Sequence, residues 1–474
     1  MKGRATLFLF GVLLLLATFV YFFEIKGKAS REKNEAKSKK LLSIEEDQIQ
    51  KVTVRRPTDI FVFERDSDLW RILEPVKAQG DKYAVKSLVS AAATAKSDRE
   101  ITDPGGLSDY GLAMPKLTVT VQSKTGQSDT LLVGDTNPIG SSVFVKKHQK
   151  PDVHLTGTAL LTALNKSLFD LRDRTALPFE KDDIRKIEIR RGAQTVVLEK
   201  EKDAWELKSP VLAKAGKSAV DALLNKVKYA EAKKFVEESP ARLPKFGLHV
   251  PSVTLTLTGG ANQSQKKLLI GAREGAQYYA MDEARPAVFT VDSSLVNELK
   301  KGVAELRDKK VCEFDQWNVK RFEIRSKAAG AFACVKDTSD NWIVESPQKG
   351  RAKSSQITGM FSDLSGLEAK TFIGKTASGL SRYGLDQPVK VVVLKDGKGE
   401  TLASVSFGAA AGRGEVFVMN KVTGWVYAVQ DGILKNLTPN LDVVLEKEEP
   451  GKQEPGKPVP IKIAPEIKGK KAKK

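Results

Sequence analysis

Leu243-Pro-Lys-Phe-Gly-Leu-His-Val-Pro251 decides how this chain is read, because the chain repeats its pattern twice more. The echoes are Leu107-Ser-Asp-Tyr-Gly-Leu-Ala-Met-Pro115 and Leu380-Ser-Arg-Tyr-Gly-Leu-Asp-Gln-Pro388. The shared form is Leu-x-x-(Tyr/Phe)-Gly-Leu-x-x-Pro, and Gly111, Gly247 and Gly384 recur at intervals of 136 and 137. Such spacing marks one module used three times in tandem. A repeated module seldom carries a single catalytic site; more often it builds a surface.

Other landmarks keep the same interval. Trp70, Trp205 and Trp342 are each followed five residues later by a proline, Pro75, Pro210 and Pro347. Leu132-Val-Gly-Asp aligns with Leu269-Ile-Gly-Ala and Ser406-Phe-Gly-Ala. Leu171-Arg-Asp-Arg aligns with Leu306-Arg-Asp-Lys and more weakly with Leu441-Asp442. The repeat signature is therefore Trp70, Tyr110, Gly111, Leu112 and Pro115; Trp205, Phe246, Gly247, Leu248 and Pro251; Trp342, Tyr383, Gly384, Leu385 and Pro388. Glycine there suits a turn with positive φ, and the flanking leucines and aromatic tuck that turn onto a core. These residues read as a folding device.

Around the signature the pattern is α+β. Val52–Arg55, Ile60–Phe63 and Leu69–Leu73 read as three strands, the last ended by Pro75. Val85, Leu88, Val89 and Ala92 then share one face of a helix, as do Val220, Leu223, Leu224 and Val227, and Ile357, Met360, Phe361 and Leu364. After the signature, Leu117–Val121, Val253–Leu257 and Val389–Val393 alternate as half-buried strands do. Strands around Leu131–Val133, Val143–Val145 and Val153–Leu155 extend an antiparallel set, and Thr158–Leu171 is expected as a second helix. The expected organisation is an anchor (1–25), a charged stalk (26–40), modules at 41–176, 177–313 and 314–445, and a disordered tail (446–474). Short gaps such as Leu177-Pro178-Phe179 favour packed modules over freely tethered ones.

The ends carry the membrane reading. Ala5–Phe23 is an uncharged run of 19 residues, about 28 Å as a helix, which matches the hydrocarbon core. Tyr21, Phe22 and Phe23 suit one interface, and Lys2 and Arg4 flank the other. The run is longer than the apolar part of a cleaved signal peptide and lacks a good cleavage site behind it, which favours an uncleaved span. Lys26 to Lys40 carry many positive charges, and by charge counting alone these place the body in the cytoplasm. The very short amino-terminal side and the absence of a second apolar span argue instead for a body outside the cytoplasm. The tail holds nine Lys against five Glu with few large apolar residues.

The chain has 474 residues, 78 Lys+Arg against 59 Asp+Glu and a net charge of +19. The excess is spread along the chain, and no module interleaves basic and aromatic residues as an RNA-binding sheet does. Contact with anionic lipid or wall polymer fits better than specific nucleic-acid binding. Two cysteines, Cys312 and Cys334, exclude a disulfide-dense scaffold, and their spacing leaves a bridge open. His148, His154 and His249 do not recur at the module interval and form no metal frame. Ala215-Gly216-Lys217-Ser218 echoes a phosphate loop, but Val211 stands where its first glycine belongs. The adjacent acids Asp182-Asp183, Glu237-Glu238 and Glu448-Glu449 read as solvated surface. No catalytic, cofactor-binding or metal residue emerges. Arg172-Asp173-Arg174 and Arg307-Asp308-Lys309 recur at module ends, and either bridge successive modules or form surface ion pairs.

From Leu41 to Leu445 the chain resembles the bacterial family called DUF4340, on its Trp-containing third strand, its aromatic-Gly-Leu turn and its Leu-(Leu/Ile/Val)-Gly strand end. The resemblance implies an accessory component encoded beside gliding-motility-type ABC transporters. Module three departs from the pattern at Phe407-Gly408 and at its degraded closing motif, which weakens any function shared equally by all modules. The resulting expectation is a non-enzymatic, single-pass, inner-membrane scaffold with its bulk outside the cytoplasm and protein partners in the envelope. The rival readings are an envelope hydrolase with an acid-based site between modules, and a basic tethered protein that binds anionic wall polymer or nucleic acid.

Overall fold

In each module the alternating segments pair into one antiparallel sheet of nine strands. The computed structural model describes Thr18, Tyr21 and residues 39–375 and 378–446. Apart from Thr18 and Tyr21, the expected span, the stalk up to residue 38 and the tail beyond Glu446 lie outside the described residues. Among the described residues no helix is long and apolar enough to cross a membrane. The chain divides into two compact units, one through Val303 and one from Ala304.

Module one is β1 (Ile49–Arg55), β2 (Ile60–Asp66), β3 (Leu69–Glu74), β4 (Ala78–Gln79), α1 (Lys82–Thr94), β5 (Arg99–Ile101), β6 (Leu117–Ser123), β7 (Ser128–Thr136), β8 (Ser142–Lys147), β9 (Val153–Gly157), α2 (Ala159–Leu164) and α3 (Leu168–Leu171). The order across the sheet is β4-β3-β2-β1-β6-β7-β8-β9-β5. Two four-stranded meanders thus meet where β1 pairs with β6, Val52 opposite Val121 and Val54 opposite Val119. The connection from edge strand β4 to the opposite edge runs through α1, which crosses one face of the sheet. Asp81 caps that helix by accepting from the backbone N–H of Tyr83 and Ala84. Its Val85, Leu88, Val89 and Ala92 are buried against the inward residues of β1, β6 and β7. Each of the valines and the leucine contributes about 1.5–3 kcal/mol by leaving water.

Module two repeats this with β10 (Ile184–Arg191), β11 (Gln194–Glu201), β12 (Ala204–Ser209), β13 (Ala213–Lys214), α4 (Lys217–Lys228), β14 (Lys234–Glu237), β15 (Val253–Gly259), β16 (Ser264–Glu274), β17 (Gln277–Asp282), β18 (Arg285–Asp292), α5 (Ser293–Leu299) and α6 (Val303–Leu306). Module three has β19 (Arg321–Ser326), β20 (Gly330–Lys336), β21 (Trp342–Ser346), β22 (Gly350–Arg351), α7 (Ser354–Ser365), β23 (Thr371–Lys375), β24 (Lys390–Lys395), β25 (Thr401–Gly412), β26 (Glu415–Asn420), β27 (Trp425–Gln430), α8 (Ile433–Asn436) and α9 (Leu441–Val444). Trp70, Trp205 and Trp342 are buried, and the prolines five residues on follow cis peptide bonds.

The signature lies on the sheet face away from the helices. In module two, Leu268 and Ile270 point into the helix-side core, and Leu269 between them points the other way. There Phe246 and Leu248 form a second small core with Met281 and Val288. A single turn of 3-10 helix carries the motif, closed by Leu248 N–H donating to the Leu243 carbonyl at 3.1 Å. Gly111, Gly247 and Gly384 hold φ of 64°, 67° and 65°. The second recurrent glycine explains itself here. A Cβ on Gly134, Gly271 or Gly408 would lie 2.1 Å from the carbonyl oxygen of Tyr110, Phe246 or Tyr383. The turn and the strand-end glycine are thus two halves of one close backbone contact.

Three expectations need correction. Thr158–Leu171 is not one helix: it breaks into α2 and α3, because Ser167 and Asp170 form a capping box that starts a new one. In β24 the inward register begins at Lys390, and Val389 is 40% exposed. Leu441-Asp442 is not the counterpart of Leu171-Arg172. Asp81 N–H donates to the Leu171 carbonyl and Lys353 N–H to that of Val444, so Val444-Leu445 holds that place.

Candidate functional site

The connector between modules one and two brings charged and aromatic side chains of both modules together. Leu171, at the end of α3, is buried in the first core, and its carbonyl accepts from Asp81 N–H at 2.8 Å. Arg172 bridges Gly80, and Asp173 N–H donates to the Gln79 carbonyl at 2.9 Å. Two residues on, the chain is bonded to the other module. The Arg174 carbonyl accepts from Ala232 N–H at 2.7 Å, and Ala176 N–H donates to the Ala230 carbonyl at 2.8 Å. Ala176 and Leu177 are fully buried. Backbone bonds to both sides leave the connector no freedom to act as a flexible linker.

Side chains reinforce the clamp. Arg172 is 7% exposed; its Nη1 donates to Glu238 Oε1 at 2.6 Å and its guanidinium lies 3.5 Å from the Phe235 ring centre. A buried guanidinium without partners costs several kcal/mol, a penalty that the acid and the ring offset. Arg285 Nη2 donates to the carbonyls of Thr175 and Ala176, at 2.6 and 3.0 Å. Its Nε donates to the buried Asp282 at 2.8 Å, and Asp173 stands 3.6 Å away. Asp173 also accepts from the N–H and hydroxyl of Thr175. Of the two outcomes open for Arg172-Asp173-Arg174, the bridge between modules is the one found. Glu238, read as solvated surface, is the acid of that bridge.

Beside the clamp lies a half-open cavity of about 390 Å³. Its apolar wall includes Ile72, Phe235, Pro286 and Phe289, and its polar wall includes Arg71, Lys77 and Gln79 of module one.

Within the second unit, the segment from Arg307 to Val311 docks on module three with altered chemistry. Arg307 lies 4.2 Å from the Phe372 ring centre and 4.1 Å from that of Trp425. Burial lowers its pKa. Lys375 takes the place of Glu238, as the registers Phe235↔Phe289 and Phe372↔Tyr427 show. Asn420 Nδ2 donates to the Val311 carbonyl at 2.8 Å, the contact that Arg285 makes to Ala176. Phe235 and Phe372 recur at an interval of 137, a signal in the sequence that points to this platform.

The remaining candidates fall apart spatially. His154 is buried in β9 with Nδ1 3.1 Å from Ser97 Oγ, and burial lowers its pKa; His148 and His249 are exposed. Lys217 starts α4 and pairs with Asp221 at 2.7 Å. Cys312 and Cys334 are free and buried, and burial pushes both thiols up to about 12. Among the described residues no group of three or more His, Cys, Asp or Glu could hold a metal ion. Sequence reasoning missed Lys390, which is 4% exposed where modules one and two bury Leu117 and Val253. Its Nζ donates to the carbonyls of Leu434 and Leu437 and to Thr438 Oγ1, at 2.5, 3.1 and 2.5 Å. That geometry caps the end of α8.

Three stretches, residues 70–210, 205–354 and 342–449, match the family described as "Domain of unknown function (DUF4340)". The chain belongs to the DUF4340 family. Each match begins at or near a module's buried tryptophan and runs into the next module or beyond the last joint. No curated protein matches this DUF4340 chain. Among solved structures, a DNA polymerase sliding clamp from Pseudomonas aeruginosa aligns over 82% of this chain and 93% of its own, at 6% identity and a TM-score of 0.14. A DNA polymerase III subunit beta from the same organism aligns over 81% and 91%, at 8% identity and a TM-score of 0.14. At that score the likeness says nothing about the fold or work of this chain.

Proposed function

We propose that this DUF4340 chain is a non-enzymatic scaffold. Its Ala5–Phe23 run anchors it in the inner membrane and its modules face the extracytoplasmic side. There it serves as an accessory subunit of a gliding-motility-type ABC transporter complex. The observation that carries the scaffold reading is the clamped connector. Arg172, Asp173 and Arg285, the charged groups that converge between modules one and two, are engaged by Glu238, Thr175, Asp282 and connector carbonyls. Charges used in this way hold two sheets in a fixed relation, so that the pair presents one continuous face to a partner. Surface apolar residues support a contact role: Met114 and Val250, each just before the signature proline, are 89% and 80% exposed. The transporter assignment rests on the family resemblance, and the placement on the uncharged run.

Crosslinking in native membranes, followed by affinity purification of the full chain, tests the reading. An ATPase–permease pair should co-purify. Recovery of the chain alone under several crosslinkers defeats the transporter assignment. A carboxyl-terminal reporter active only in the cytoplasm defeats the placement.

A further inference from the structure

We propose that the cavity between modules one and two is a binding site for a small amphipathic anion. The apolar body of the ligand rests on Ile72, Pro286 and Phe289, and its single negative group meets Lys77 and Arg71 at the mouth. This goes beyond the scaffold reading and holds whether or not the chain joins a transporter.

The volume comes first. About 390 Å³ falls within the range of small-molecule pockets, which pair a mostly apolar wall with a few placed polar groups. Here Ala78, Ala284 and Ala287 line it. The rings of Phe235 and Phe289, in edge contact at 6.1 Å and inclined at 64°, supply aromatic surface to its wall.

Charge decides the sign of the ligand. Four cations and two carboxylates line the cavity. Both carboxylates are engaged by arginines: Glu238 by Arg172 at 2.6 Å, and Asp173 by Arg285 at 3.6 Å. Arg285 is held further by Asp282. Gln79 Nε2 is tied to the Trp70 carbonyl at 2.9 Å. Arg71 pairs with Asp66 at 2.6 Å, but the two side chains are 64% and 52% exposed, a pair that contributes little and can open. Lys77 has no ion pair among the described residues. Its counterpart two residues after the module-two proline is Leu212, 74% exposed, so the fold does not require a cation at that place. A spare ammonium and a loosely held guanidinium beside an apolar wall are complementary to a carboxylate, sulfonate or phosphate on a hydrophobic body.

The test is calorimetric titration of the full chain in an uncharged maltoside detergent, with a detergent blank. The probes are 4-phenylbutyrate and its neutral analogue 4-phenylbutan-1-ol. The expected result is one phenylbutyrate site per chain, with the alcohol at least tenfold weaker. Lys77→Glu should weaken phenylbutyrate at least tenfold without changing the melting temperature. Ala284→Trp, at an exposed turn, should block the site sterically. Equal binding of acid and alcohol, or unchanged binding in both variants, overturns the proposal. So does the absence of saturable phenylbutyrate binding to the wild-type chain.

Discussion

The signature turn and the connector's receiving site recur at the same interval, yet they differ in how much they vary. The turn is rebuilt nearly atom for atom in each module. Its glycines hold the same φ, and its strand-end partner makes the same 2.1 Å approach three times. The receiving site changes each time. Across the outer strand pair stand Glu100 and His154 in module one, Phe235 and Phe289 in module two, and Phe372 and Tyr427 in module three. An arginine lies over the ring in the second and third cases. After module three, Leu445 occupies the arginine's position, bridged to Ala352 as Arg172 is to Gly80. The turn serves a module's own backbone, where geometry leaves no alternative. The receiving site serves a neighbour, so its chemistry follows what docks there. Repeat arrays in general specialise their terminal copies in this way.

The largest effect should come from breaking the invariant half. Gly271→Ala puts a Cβ against the Phe246 carbonyl, and neither backbone can retreat without opening the sheet. A loss of about 3 kcal/mol or more is expected in thermal or denaturant melts. Gly275→Ala is the control, since it has φ of 59° but open space around it. It should cost only about 1–2 kcal/mol, the strain of left-handed backbone. Similar losses from the two would refute the close-contact account of the motif.

The variable half should yield less. Arg172→Leu copies the residue found after module three. It removes the ring contact and leaves Glu238 free to turn to water, at a cost of about 2 kcal/mol. The effect should be local: limited proteolysis should cut near residues 171–177 in the variant and spare the wild type. Paired with Phe235→Leu, the double variant should fall short of the summed losses by about 1 kcal/mol. Simple additivity would show that the ring and the guanidinium do not act together.

Lys390 departs from the repeat in a different way, because a charge has entered a core position. Burial lowers its pKa from 10.5 to about 8. The unfolded chain therefore binds a proton more readily than the folded one between those values. Stability rises with pH across that window, and the penalty is fully present below it. A shift of that size sets a ceiling of about 3 kcal/mol. The acceptors at Leu434, Leu437 and Thr438 favour the ammonium and reduce it, so about 1–2 kcal/mol is expected. Melting of wild type against Lys390→Met should show the gap between them changing from pH 7.5 to 10.5. A constant gap would mean that the amine keeps the pKa of an unfolded lysine in the fold.

Much of the module was legible because its signals are local. The helix faces Val85-Leu88-Val89-Ala92, Val220-Leu223-Leu224-Val227 and Ile357-Met360-Phe361-Leu364 are buried as their spacing predicts. What stayed hidden depends on partners distant in sequence. Strand β4 has two residues and β5 three, too short to show any period, yet they form the two edges of the sheet. The pairing of β1 with β6 leaves no mark in either strand's alternation. The start of α3 was readable, since Ser167-Leu-Phe-Asp170 is a capping box, but the apolar run through it masked the break. In the candidate site, Arg172 was visible by recurrence. Its ring lies 63 positions further on and its acid 66, in a pair that looked like ordinary surface.

The smallest effect sharpens the comparison between the two arginines. Arg172 has both a ring and a carboxylate; Arg307 has two rings, and among the described residues no carboxylate pairs with it. The difference traces to one position, Glu238 in module two and Lys375 in module three, each three residues after the platform phenylalanine. If the platform alone supports the guanidinium in the second unit, Lys375→Glu adds an acid that the site already does without. The gain should then be that of a partly exposed ion pair, about 0.5 kcal/mol, and should fade in high salt. A gain as large as the loss from Arg172→Leu would show instead that Arg307 is poorly satisfied by its rings. The two joints would then share one mechanism, lacking a part in the second, rather than two solutions to burying the same charge.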